Sequence, residues 1–319
     1  MNNNSLKNSL QPNDDEIDLK ELFKVFWDGK LLLVSITSFF SVVAVLYSLS
    51  LPNIYQSTAI LSPVGEENTM NQAIRSYGGL ASLAGVNLPS SSNFSNAEKA
   101  LEKLNSLSFF TDSILPNIFL PDLMAVESWD PITNTITYDK DLFNEQTQSW
   151  VRDFQYPKTQ IPSAQESFKI FKNILEVEEV KAGGFHTITV KHQSPYIAQT
   201  WTQLIVSEIN NFFRSKDRID SETAINFLNT QIAQTSLAEI KEVIAQLLKE
   251  NTQRLALIEV SDFYVFEYID HPAVMEEKSE PSRATICILA AIFGGMFGAI
   301  VVLARYFYKN SNNSKHLNY

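Results

Sequence analysis

Two stretches of this chain carry no charged residue for 21 positions each, residues 31–51 and 284–304. In hydrocarbon every backbone N–H and C=O must be satisfied internally, and about 20 apolar residues in a helix do this across a bilayer. Each stretch therefore predicts a transmembrane helix. A cleaved signal peptide fits the first poorly. Its apolar run follows a long polar tail and exceeds a signal core, and Leu49-Ser50-Leu51 is no small-residue cleavage site. A buried core helix fits the second poorly, given its length and the flanking Arg283 and Arg305.

Two spans put both tails on one side. Lys20, Lys24 and Lys30 precede the first, and Arg305, Lys309 and Lys315 follow the second. The first basic residue after the opening span is Arg75. The positive-inside rule places tails 1–30 and 305–319 in the cytoplasm, with Arg283 as a single opposing charge. Residues 52–282 then form one extracytoplasmic body with 17 basic and 30 acidic residues, a net charge of −13. The whole chain stands at −11, which argues against nucleic acid as a partner. A tail of 15 residues after Ala304 holds no nucleotide motif.

Along the chain, Leu19, Leu22, Phe23, Phe26 and Trp27 recur at helical spacing among lysines. They read either as an amphipathic helix on the inner membrane surface or as the helical start of the span. Pro52 ends the span, and Tyr55 to Leu61 reads as a first strand. Residues 69–89 are small and apolar without a clean period. A helix begins near Asn96, and residues 108–160 are rich in aromatics and turn formers. A helix over 163–175 leads to a strand opening at Leu175. Residues 185–192 alternate at period two, the clearest strand in the chain. Ser194-Pro195 starts a helix carrying Ala198, Trp201, Leu204, Ile205, Ile209 and Phe212.

Between Asp217 and Pro272 there is neither proline nor glycine. Ile225, Leu228, Ile232, Ile240, Val243, Ile244, Leu247, Leu255 and Ile258 recur at three- and four-residue steps. This predicts one long helix over 217–258, about 63 Å at the usual rise, or two helices with a bend near 234–237. An apolar stripe that long needs a neighbour, and other subunits would supply it through Ile225, Leu228, Ile232, Ile240, Val243 and Leu247. Residues 263–269 read as a strand returning beside the first. The fold class is α+β. Two transmembrane helices flank a domain at 52–282, with a membrane-proximal α/β base (52–215 and 259–282) and the extended helix.

Chemistry-bearing patterns are sparse. One cysteine, Cys287, and four histidines leave no metal spacing, and no metal or cofactor is expected. Phosphate-loop, dinucleotide and nucleophile-elbow fingerprints are absent, so no catalytic residue is assigned. Gly294 and Gly298, with Gly295 between them, form a small-xxx-small pair in the second span, whose physical use is close helix approach.

Five places carry a family resemblance. They are Glu16-Ile17-Asp18-Leu19 with Leu22 and Trp27; Tyr55-Gln56-Ser57-Thr58-Ala59 with Pro63; and Leu80-Ala81-Ser82-Leu83-Ala84-Gly85. The fourth is His192, Ser194, Pro195, Ala198 and Trp201 with Asn210, and the fifth is Pro281-Ser282-Arg283 leading to Leu289 and residues 294–298. In order and spacing they resemble the chain length determinant (Wzz-type) family, the polysaccharide co-polymerases of the O-antigen class. The family's proline-rich approach to the second span is interrupted here by Met275-Glu276-Glu277-Lys278.

The resemblance implies a non-enzymatic regulator of lipopolysaccharide O-antigen chain length, a multi-pass protein of the bacterial inner membrane with a periplasmic main domain. It implies a homo-oligomer among membrane lipids. The implied partners are the O-antigen polymerase and undecaprenyl-pyrophosphate-linked polysaccharide. The short tail favours the O-antigen branch. Two alternatives are a capsule or exopolysaccharide co-polymerase or export adaptor, and a two-span membrane sensor.

Overall fold

In the computed structural model, residues 19–64, 96–180, 184–261 and 263–316 are described. The small-residue segment at 69–89, including Leu80 to Gly85, and the opener Glu16-Ile17-Asp18 lie outside them. The chain divides into two units, Met1–Pro52 with Pro281–Tyr319, and Asn53–Glu280.

The first unit is a helical pair. Helix α1 (Leu19–Asp28) is followed by α2 (Lys30–Ser50). Gly29 N–H donates to Val25 O at 2.9 Å and Leu33 N–H to Gly29 O at 3.0 Å. Two backbone bonds thus bridge the junction, where Gly29 (φ −90°, ψ 5°) separates α1 from α2. Trp27 and Tyr47 are both exposed. Trp27 stands near the end of α1 and Tyr47 near the end of α2, and such rings favour the borders of a hydrocarbon core. The hydroxyls of Ser35, Thr37, Ser41 and Ser50 donate to carbonyls three or four residues earlier, so these four groups are satisfied locally, while the buried Ser48 hydroxyl has no partner among the described residues. The windows at Lys30–Ser50 and Arg283–Tyr308 are both long and apolar enough to cross a membrane.

The second unit is α+β. Strand β1 (Tyr55–Pro63) follows the first span, and α3 (Asn96–Leu104) comes after the undescribed stretch. Short helical turns over Leu107–Phe109, Phe110–Ile114 and Leu115–Asn117 lead to α4 (Leu120–Met124). Two small hairpins follow: β2 (Val126–Asp130) with β3 (Thr135–Tyr138), and β4 (Phe143–Asn144) with β5 (Ser149–Trp150). Helix α5 (Ala164–Ile174) opens on a capping box, in which Ser163 Oγ accepts from Glu166 N–H and the Glu166 carboxylate accepts from Ser163 N–H. Then come β6 (Leu175–Val180), β7 (Phe185–His192), α6 (Pro195–Gln234), α7 (Ala238–Val260) and β8 (Phe266–Asp270). Helix α8 (Arg283–His316) belongs to the first unit.

The main sheet is antiparallel in the order β6-β7-β1-β8. Alternation sends Ser57, Ala59 and Leu61 of β1 and His186, Ile188, Val190 and His192 of β7 to the interior. The near half of α6 packs against this sheet: Thr202 Oγ1 donates to Ser57 O at 3.1 Å. Trp201, Ile205, Ile209 and Phe213 join Phe109, Phe110, Phe171 and Phe266 in one core. Burying a side chain of this size removes roughly 2 kcal/mol of unfavourable hydration, which is why these elements hold together despite short connections.

One expectation needs correction. The helix does not begin at 217, and it is not a single rod over 217–258. Helix α6 starts at Pro195 and runs 40 residues, then breaks at Thr235, whose extended backbone (φ −87°, ψ 131°) reverses the chain. Helix α7 folds back beside it, so that Asp217 meets Arg254 and Arg218 meets Glu259. The physical reason is the apolar stripe itself. In one rod it would stay wet, whereas a reversal lets its two halves cover each other. The bend alternative near 234–237 is the one the structure has.

Candidate functional surfaces

The strand-to-helix junction gathers four of the motif residues. His192 ends β7 and Ser194 precedes α6, whose first residue is Pro195. Ser194 N–H donates to His192 Nδ1 at 2.9 Å, and His192 Nε2 lies 2.9 Å from Asp122 O. The Trp201 ring meets the His192 ring edge-on at 5.3 Å. Tyr55 is the register partner of His192 and stands against Trp129 of β2, with ring centres 5.3 Å apart. Burial holds the His192 ring below the usual imidazole range. Beside it, Tyr138 Oη donates to Asp122 Oδ1 at 2.6 Å, and burial pushes both groups up. His186, on the same face of β7 as the sequence implies, is buried against Phe266, and its Nδ1 has no partner among the described residues.

Asn210 is a second junction. Its Nδ2 donates to Val206 O and to Phe266 O at 3.1 Å. Its Oδ1 accepts from the N–H groups of Tyr264 (3.2 Å), Val265 (2.7 Å) and Phe266 (3.0 Å). One amide thus satisfies the backbone that leads into β8, the strand that pairs with Pro63 through Phe266. One and two turns on, Asp217 accepts from Tyr264 Oη and from Arg254 at 2.9 Å. Burial and that carboxylate push Tyr264 up to about 12. Asn210 is one of the motif residues, whereas Asp217 and Tyr264 carry no local signal in the sequence.

The helical hairpin presents the third feature. Ile225, Leu228 and Ile232 of α6 are half-buried. On α7, Ile244 and Ile258 are buried, with Leu248, Asn251 and Leu255 half-buried between them. That spacing of four, three, four and three is one inward stripe. Ile240, Val243 and Leu247 are nevertheless 45%, 60% and 41% exposed, Val243 about 100° round the helix from Ile244. Leu257 and Val260 are exposed as well, as is Phe227 on α6. The six residues expected to share an oligomerisation face therefore divide into two sets. Sequence spacing missed Phe227, Leu257 and Val260, because three- and four-residue steps identify a stripe but not which of two stripes turns inward.

In the first unit, α2 and α8 run antiparallel. A Cβ on Gly294 would stand 2.9 Å from Phe40 Cβ and 3.2 Å from Thr37 Cα. One on Gly298 would stand 3.4 Å from Leu33 O, and one on Gly29 would meet Val302 at 2.5 Å. Gly295 faces elsewhere, with nothing nearer than Thr37 Oγ1 at 3.9 Å. The small residues are thus placed between the two spans of one chain. Pro281 opens the approach to α8, where Arg283 donates to Ser48 O at 3.2 Å.

Arg152 organises the loop after β5. It donates to the carbonyls of Thr159 and Gln160 and forms a two-pronged pair with Glu166, whose carboxyl is drawn down to about 2 by that guanidinium. The loop holds Phe154, Tyr156 and Ile161 exposed. An open depression of about 470 Å³ lies along α6 beside Phe212, Lys216 and Asp220. Among the described residues no three His, Cys, Asp or Glu side chains stand where a metal could be held.

Residues 15–109 match the family model described as Wzz, chain length determinant protein. A chain length determinant protein from Escherichia coli is 21% identical over 332 residues, covering 98% of each chain. A solved full-length bacterial polysaccharide co-polymerase is similar at 16% identity and a TM-score of 0.39, over 92% of this chain and 99% of that one. A fragment of the co-polymerase WzzB from Salmonella Typhimurium is similar at 16% identity and a TM-score of 0.29, over 72% of this chain and all of the fragment.

Proposed function

We propose that this chain, which carries the chain length determinant signature over residues 15–109, is a non-catalytic regulator of O-antigen chain length. It sits in the bacterial inner membrane with both tails cytoplasmic and residues 52–282 in the periplasm. Copies assemble into a scaffold that works with the O-antigen polymerase on an undecaprenyl-pyrophosphate-linked glycan. Chain length follows from how long the growing glycan stays engaged with that scaffold.

The observation that carries this reading is the family match combined with end-to-end similarity to one chain length determinant protein. The double-striped α7 supports the assembly part. A helix with one apolar face against its own chain and another left bare is built to lie between two partners. The lysines flanking the first span and the basic residues after the second support the orientation.

The test is deletion of the gene followed by electrophoresis of surface polysaccharide. The expected outcome is polymer still made, with its modal banding lost and restored by the intact gene. Unchanged banding with a capsule defect would transfer the role to capsule assembly. Loss of all polymer would instead make the protein part of the polymerising machinery.

A further inference from the structure

The buried His192 is not explained by a scaffold role. Its ring is 7% exposed and both ring nitrogens are engaged by main chain. Because Nδ1 accepts the Ser194 N–H, the single ring proton must sit on Nε2, which donates to Asp122 O. The geometry fixes one neutral tautomer. A second proton would go onto Nδ1, where it would point at the Ser194 N–H. That bond would be lost, and a charge would be left in a buried site.

We propose that His192 is an acid-sensitive latch that ties α4 and the β2–β3 hairpin to the start of α6, and that protonation of its ring loosens that hairpin. The ring spans the joint directly: Ser194 precedes α6, and Asp122 lies in α4, two residues before the turn into β2. The groups facing it are few. From α4 comes the Asp122 carboxylate, one of whose oxygens is held by Tyr138 of β3. From β1 comes Tyr55, and from α6 the uncharged Trp201 ring. Lys191, with Glu176 and Glu280, lies on the opposite face of the sheet. Among the described residues Asp122 is thus the single nearby counter-charge, and burial already weakens its own ionisation.

The direction follows from linkage. The closed latch excludes a proton that a released imidazole takes up near its ordinary value of about 6.5, so the closed form loses stability as pH falls below that value. Asp122 has the opposite sign. Its raised value means that taking up a proton favours the closed form. Loosening is therefore expected as pH falls below about 6.5. Ring contacts, such as Tyr55 on Trp129, keep the hairpin attached while it loosens.

The experiment is amide hydrogen exchange on the full chain in detergent, with rates corrected for the intrinsic effect of pH. Protection of residues 126–138 is expected to fall about tenfold between about pH 7 and about pH 5. That of 185–190 and 201–213 should hold. His192→Gln should flatten this dependence, while His186→Gln should retain it. Exchange at the imidazole C2 carbon of the wild type reads His192 directly, and should give a value below that of a free histidine. The proposal is overturned if 126–138 stay equally protected across the range. It also falls if His192 titrates like an exposed histidine, or if His186→Gln removes the effect instead.

Discussion

Helix α6 differs between its two halves. From Pro195 to Ser221 its inner face carries Ala198, Trp201, Ile205, Ile209, Phe213 and Asp217, all buried against the sheet or the chain entering β8. Beyond Ser221 none of its residues is fully buried; Ile225, Leu228 and Ile232 are half-covered and Phe227 is open. The near half is stabilised by the unit it belongs to. Among the described residues the far half packs against α7, which itself turns apolar side chains outward. One continuous helix therefore joins a finished core to an unfinished surface. Substitutions in the two halves should fail in different ways: near ones through folding, far ones through assembly.

The largest effect is expected at Asn210. Asn210→Ala removes the acceptor for three N–H groups at 264–266, two of them buried, without offering another. Leaving buried donors unmade costs about 1–3 kcal/mol each, so a loss of about 3 kcal/mol or more is expected. Urea unfolding of the full chain in detergent, followed by circular dichroism, would read it. A loss below about 1 kcal/mol would show that water replaces the amide, and that the near half is less closed than its geometry implies.

A smaller effect belongs to Arg254, where the halves meet. Its side chain is 59% exposed while that of Asp217 is 9% exposed. Solvent screens such a pair, and Tyr264 still donates to Asp217 when the guanidinium is gone. Arg254→Ala should cost about 1 kcal/mol, and hydrogen exchange should place the loosening in α7 rather than in the sheet. Equal loosening of β1 and β7 would mean that the hairpin and the core unfold as one body.

Much of the near half could be read from residue order. The alternation at 185–192, the Ser194-Pro195 helix start and a strand near 263–269 beside the first all have local causes: period, cap and β-propensity. The role of Asn210 has no local cause. Its partners other than Val206 lie more than fifty residues away, and its signal is a polar side chain one position after Ile209 on a core-facing stripe. The far half hid its geometry for a different reason. Without proline or glycine after Asp217, nothing local marks the reversal, and Thr235 turns the chain only because two apolar stripes gain by meeting. The spans lie between these cases. Gly294 and Gly298 sit one turn apart as the pattern requires, but only the placed helices separate them from Gly295.

The smallest effect on folding, and the most telling for assembly, is expected at Val243. It is 60% exposed on the outward stripe of α7, next to Ile244, which is 7% exposed on the inward one. A surface change of this kind alters stability by about 0.5 kcal/mol or less. Val243→Asp should therefore leave urea unfolding almost unchanged. If a second copy covers the outward stripe, the same carboxylate would be buried without a partner in the contact, which is costly. Cross-linking in native membranes should then show smaller assemblies, and modal banding of the polysaccharide should blur. If V243D assembles as the wild type does, the bare stripe is not where copies meet. In that case the far half owes its exposed side chains to some other partner, and the contrast between the halves would concern packing alone.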